Sequence, residues 1–186
     1  KFFTPVANGP VPLPPAPSAI GRNTALSSAT LKACTCRFSA SCGSLISDET
    51  GGRDYVLRVR EIASGSDLAW QVPEVSSAAW AADSRTLFYV TMDAAKRSHQ
   101  LWRAVPGSGK PAVLVHTEPD ARFDIQVRST RDGRWLVLET GSKDESDARV
   151  LDARAPTGAW RTVLPRSPGV LYDLDHRAGR FYLRIN

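Results

Sequence analysis

One short string recurs along this chain and limits what it can fold into. Asp83-Ser84-Arg85-Thr86-Leu87-Phe88 matches Asp132-Gly133-Arg134-Trp135-Leu136-Val137 at an offset of 49 residues. Ala178-Gly179-Arg180-Phe181-Tyr182-Leu183 matches again, 46 further on. A weaker copy, Cys42-Gly43-Ser44-Leu45-Ile46, lies 41 before the first. Each copy is a turn running into an apolar run. Asp suits such a turn because it bonds its own backbone two residues on, and Gly because it accepts positive φ.

The stretches between the copies read as strands. Phe123, Ile125 and Val127 alternate with Asp124, Gln126 and Arg128, and Leu57 and Val59 with Arg58 and Arg60. That period of two belongs to a half-buried strand. Leu87–Val90, Trp135–Leu138 and Phe181–Leu183 are continuously apolar, of strand length, and rich in aromatic or branched residues, so each predicts a strand buried on both faces. Further strand candidates at 100–105, 113–116, 148–152 and 160–164 bring each unit to four. No segment of useful length has a 3.6-residue period. Four strands per unit of about 45 residues is the period of a β-propeller blade. The fold expected is all-β, a partial propeller of about three to four four-stranded antiparallel blades. It comprises a partial first blade, two complete ones and half of a fourth. Propellers close with about 4–8 blades, so a piece of a larger protein is expected.

The N-terminal stretch has a different character. Six of the 13 prolines lie between Pro5 and Pro17, followed by a Ser/Thr/Ala-rich run. Proline removes backbone donors and favours extended polyproline II, so residues 1–36 are expected to form a disordered Pro-rich leader and 37–186 the incomplete propeller. The leader is no signal peptide, since proline interrupts every candidate apolar core. The chain does not begin with Met, so a start that lies further upstream or has been removed is expected. The same division explains the net charge of +5. Residues 1–46 hold Lys1, Arg22, Lys32 and Arg37 with no acid, and the rest carries 20 basic against 19 acidic residues. The folded part is nearly neutral and its charges are interspersed, which argues against nucleic acid as a partner. No apolar stretch reaches the ~18–20 residues needed to cross a bilayer, and no membrane partner is expected.

The strings from Ser47 onward resemble the prolyl oligopeptidase family of serine peptidases, and oligopeptidase B most closely. The residues that carry this are 48–52 with 55–59, the run Ala79-Trp80-Ala81-Ala82-Asp83-Ser84 into Thr86-Leu87-Phe88-Tyr89-Val90, Leu101-Trp102-Arg103, Phe123 to Val127, and 175–184. Residues 1–36 have no match. Two departures stand out: Ala104 where the family continues with His, and His116, Thr117 and Glu118 where it has a tyrosine and paired acids. The resemblance implies a propeller that caps a C-terminal α/β-hydrolase domain as its partner. A Ser-Asp-His triad in that domain cleaves short peptides after Arg or Lys, and the family habit is cytoplasmic. The serine belongs in a G-x-S-x-G elbow, and these 186 residues contain none. The expected function is therefore a non-catalytic propeller that gates the access of short peptides. The alternatives are a free-standing protein-interaction scaffold or a truncated product without function.

No catalytic, cofactor-binding or metal-binding residue is assigned, and no cofactor is expected. Gly107-Ser108-Gly109-Lys110 fails the phosphate-loop pattern, with Ala104 at its first position and Pro111 at its last, and reads as a hairpin turn. His116 and His176 have no serine elbow near them and read as structural or exposed. Asp144, Glu145 and Asp147 lack the glycine and spacing of a calcium loop. Cys34, Cys36 and Cys42 lack a fourth zinc ligand, since the histidines are His99, His116 and His176. Trp70, Trp80, Trp102, Trp135 and Trp160 mostly fall in strand positions and read as blade packing.

Overall fold

The computed structural model describes residues 34–38, 42–48 and 50–186, so the Pro-rich leader expected over 1–36 lies, up to residue 33, outside the described residues. Among the described residues there are fourteen strands and no helix. The first sheet holds β1 (Cys34–Phe38), β2 (Cys42–Asp48), β3 (Tyr55–Glu61) and β4 (Asp67–Pro73). The second holds β5 (Val75–Trp80), β6 (Leu87–Met92), β7 (Ser98–Ala104) and β8 (Val113–Thr117). The third holds β9 (Asp124–Ser129), β10 (Trp135–Gly141), β11 (Ser146–Asp152) and β12 (Arg161–Leu164). A two-stranded sheet of β13 (Tyr172–Arg177) and β14 (Arg180–Ile185) follows. Within every sheet consecutive strands pair antiparallel, so each is a simple meander, as in a propeller blade.

Two details differ from the sequence expectation. The first blade has all four strands, because Cys34–Phe38 pairs along β2 from Cys34↔Ser47 to Phe38↔Gly43, ahead of the expected start at residue 37. That segment has no apolar alternation of its own; the edge of β2 supplies its pairing. The second concerns β14, which was expected to be buried on both faces. Tyr182, Leu183 and Ile185 are instead 56%, 37% and 52% exposed. β14 is the outer strand of a two-stranded sheet, and no described strand pairs with its far edge or covers its far face.

The recurrent string forms the turn between the first two strands of a blade, and it closes the same way twice. Ala81 N–H donates to Thr86 O at 2.8 Å and Thr130 N–H to Trp135 O at 2.9 Å. Inside these loops Ser84 N–H reaches Ala81 O, and Gly133 N–H reaches Thr130 O. Asp83 accepts from the N–H groups of Arg85 and Thr86 and from Thr86 Oγ1, while Asp132 accepts from Arg134 N–H and Thr130 Oγ1. Gly133 has φ 67°, the left-handed conformation that the third turn shares at Gly179, φ 77°.

Cores lie between the sheets. Leu87 and Tyr89 of β6 pack toward the first blade with Leu57, Val59 and Ile46. Their neighbours Phe88 and Val90 pack toward the third with Ile125, Val127, Leu136 and Leu138. On β10, Val137 turns the other way, onto Leu174 with Ala148 and Val150. The middle strands are therefore buried on both faces, as their unbroken apolar runs predict. Burial of a side chain such as Phe88 or Leu136 contributes about 1.5–3 kcal/mol.

Candidate functional site

β5 borders β9, the first strand of the next blade, and residues of β5, β9 and β13, each at an edge of its sheet, line one groove. The groove has a volume of about 720 Å³. Ser76 and Ser77 come from β5, Asp124, Ile125 and Gln126 from β9, and Tyr172 and Asp173 from β13. Glu139, Thr140, Ser146 and Asp147 reach it from β10 and β11, and Arg184, Ile185 and Asn186 close one side. Several polar groups here are occupied in joining blades. Ser77 Oγ accepts from Val127 N–H at 3.1 Å, and Asp124 Oδ1 accepts from Ser98 N–H at 2.9 Å. Glu139 pairs with Arg128 at 2.5 Å, and Arg128 also donates to Leu174 O in the last sheet. Arg184 pairs with Asp173.

Beside the groove, a recess of about 300 Å³ between the second and third blades holds the main buried ionic cluster. Arg166, after β12, donates to Glu118 Oε2 and to Asp147 Oδ2, each at 2.5 Å. Its guanidinium lies 3.8 Å from the centre of the Phe123 ring. Both acids are almost wholly enclosed, with side chains 2% and 6% exposed. Burial pushes the Glu118 carboxyl up, but the bonds from Arg166 and from Asp120 N–H outweigh it and hold the group below its ordinary value. Burial also opposes the charge on Arg166, and the two carboxylates overcome it and raise its pKa. Arg149 Nη1 lies against His116, 3.0 Å from Nδ1. Burial, then the adjacent Arg149 charge, lowers the His116 pKa and keeps the ring neutral near pH 7.

The other residues singled out from sequence lie apart from both places. Gly107 and Gly109 sit at φ 76° and 70° in the loop joining β7 to β8. His176 is in β13, just ahead of its turn, and its Nδ1 is 2.6 Å from Asp132 Oδ2 of the preceding blade. Burial raises the Asp132 pKa, but hydrogen bonds from Thr130, His176 and Arg134 N–H leave it below the ordinary value. Asp144 and Glu145 occupy the β10–β11 hairpin, whereas Asp147 is buried on Arg166, so the three acids do not converge. Among the described residues no group of three or more His, Cys, Asp or Glu is placed to hold a metal ion. Cys42 packs half-buried against the core of the first two blades, and Cys34 and Cys36 fall in β1. Four of the tryptophans pack between or along blades: Trp70 against Tyr89, Trp160 against Phe88, Trp135 against Phe181, and Trp102 Nε1 on Thr91 Oγ1. Trp80 belongs to the buried core. Sequence reasoning missed Arg166 and Thr140, which carry no motif.

Comparison with known proteins gives one family. The model described as "Prolyl oligopeptidase, N-terminal beta-propeller domain" matches residues 44–186. An uncharacterized peptidase of Sinorhizobium fredii, y4qF, is 31% identical over 149 residues, covering 75% of this chain and 20% of its own. Protease 2 of Moraxella lacunata is 27% identical over 135 residues, 70% of this chain and 20% of its own. Among solved structures, oligopeptidase B from Leishmania major superposes with a TM-score of 0.69 at 23% identity, over 80% of this chain and 22% of that one. The chain thus spans about a fifth of the length of the curated relatives it matches.

Proposed function

The chain belongs to the prolyl oligopeptidase family, as its N-terminal β-propeller domain, and from that premise we propose that it is the non-catalytic, peptide-gating part of an oligopeptidase B-like serine endopeptidase. Its partner is a C-terminal α/β-hydrolase domain, and the substrates of the whole enzyme are short peptides cut after Arg or Lys. We assign the enzyme to the cytoplasm by the family's habit. Among the described residues no helix is long and apolar enough to cross a membrane. The observation that carries the reading is the groove along β5, β9 and β13. About 720 Å³ takes a few peptide residues and no folded domain, its lining mixes polar groups such as Ser76, Asp124 and Gln126 with Ile125, Leu171 and Ile185, and among the described lining residues no histidine stands beside a serine to serve as its base. His176 supports it from the other side, since the imidazole is used to join two blades.

The test compares three proteins on an Arg-containing tetrapeptide and on a folded protein of the same cleavage sequence: this chain alone, the hydrolase domain alone, and the whole enzyme. The chain alone is expected to hydrolyse neither, and the whole enzyme only the tetrapeptide. The hydrolase domain without the propeller is expected to lose that discrimination. Hydrolysis by the 186-residue chain, or unchanged size selectivity without it, would overturn the proposal.

A further inference from the structure

Besides Trp135 Nε1, two enclosed polar atoms of the third blade have no hydrogen-bond partner: Thr140 Oγ1 and Asp147 Oδ1. The residues stand directly opposite each other across β10 and β11, and both line the groove. They are 1% and 6% exposed. A buried carboxylate oxygen left without a donor is among the costlier features a folded chain can keep, and native structures rarely keep one without a reason. Asp147 is not free to turn away, because Arg166 holds its Oδ2 at 2.5 Å and leaves Oδ1 over.

Among the described residues that line the groove, Arg184 is the one cation. Arg184 is engaged by Asp173. Asp124 takes one backbone N–H and has no ion-pair partner among the described residues. A molecule that completes this lining brings donors and positive charge.

We infer that the groove contains a subsite for a primary ammonium, whose N–H groups donate to Asp147 Oδ1 and Thr140 Oγ1. An ammonium carries three donors and no acceptor on a compact head. A guanidinium fits less well, because its planar fork asks for two carboxylate oxygens and Asp147 has one to give. The inference rests on the reading of the chain as a peptide-admitting propeller, and adds which chemical group the groove holds. A peptide offers that group as its α-amino terminus or as a lysine side chain.

The experiment titrates the 186-residue chain, by calorimetry, with Ala-Ala-Ala, with N-acetyl-Ala-Ala-Ala amide and with N-acetyl-Ala-Lys-Ala amide. Binding is expected for a peptide that has an ammonium and not for the one with none. The first peptide alone binding identifies the α-terminus, and the third binding identifies the side chain. Thr140→Val is expected to weaken binding on the order of tenfold. Asp147→Asn keeps an oxygen for Arg166 and is expected to weaken it at least as much. Asp144→Asn, in the exposed hairpin, is expected to leave it unchanged. The inference is overturned if the peptide without an ammonium binds equally, or if none binds to chain that circular dichroism shows to be folded. It is also overturned if a crystal structure at saturating peptide holds only a water between Thr140 and Asp147. Size selectivity of the whole enzyme is read separately, so gating stands or falls independently of this subsite.

Discussion

Arg166 faces two enclosed carboxylates, and its removal leaves both without their cation. Arg166→Met is expected to destabilise the chain by about 3–5 kcal/mol, the range for breaking a buried ion pair from one side. Urea unfolding followed by tryptophan fluorescence measures it, and a loss under 1 kcal/mol would mean that the cluster is solvated in solution. The same cluster sets an acid dependence. The Glu118 pKa is lower folded than unfolded, so its contribution is present above the ordinary carboxylate value and is lost as pH falls through the folded value. His116 acts in the same direction: its folded pKa is lowered, so the unfolded chain takes up a proton first as pH drops below about 6.5. Stability is therefore expected to decline from about pH 6.5 downward and steeply below about pH 4.5. Glu118→Gln should flatten the lower limb, and an unchanged acid limb in that variant would refute the assignment. None of this was legible in the sequence. Glu118 and Asp147 lie 48 and 19 residues from Arg166, and no local pattern links the three. By contrast Asp83 and Asp132 were legible as turn residues, because every bond they make to their own turn spans two or three positions.

Strands follow the same division between local and distant causes. The apolar run of β6 and the alternation of Phe123 to Val127 announce themselves, since burial on two faces or one is written in the period of the side chains. β1 did not, because its pairing comes from β2. β14 announced more burial than it has, because its composition matches β6 and β10 while its surroundings do not. Phe88→Ala, at 0% exposure, is expected to cost about 3–5 kcal/mol. Tyr182→Ala, on the open strand, should change stability by no more than about 0.5 kcal/mol. Thermal melts of the two variants check the contrast, and equal losses would mean that β14 is covered in solution. Amide hydrogen exchange should rank the elements the same way, with β6 and β10 slowest and β14 fastest.

Across the described residues, each buried cluster joins one blade to the next, as in other repeat architectures, so stability is expected to be a sum of blade and seam contributions. Leu136 lies in the seam between the second and third blades, and Leu174 in that between the third and last. Leu136→Ala is expected to lower the main unfolding transition by about 2–5 kcal/mol, whereas Leu174→Ala should free the two-stranded sheet and leave the main transition in place. Calorimetry separates the two outcomes, and a single transition shifted equally by both would mean that the blades melt as one unit.

The alternation along β6 has a consequence for how such a domain can change. Leu87 and Tyr89 answer to one neighbour, Phe88 and Val90 to the other. One strand is thus two independent hinges' worth of text, interleaved letter by letter. Drift at the odd positions can resize one joint while the even positions hold the next one fixed. The angle between adjacent sheets, and with it the curvature of the row of blades, can be retuned one joint at a time.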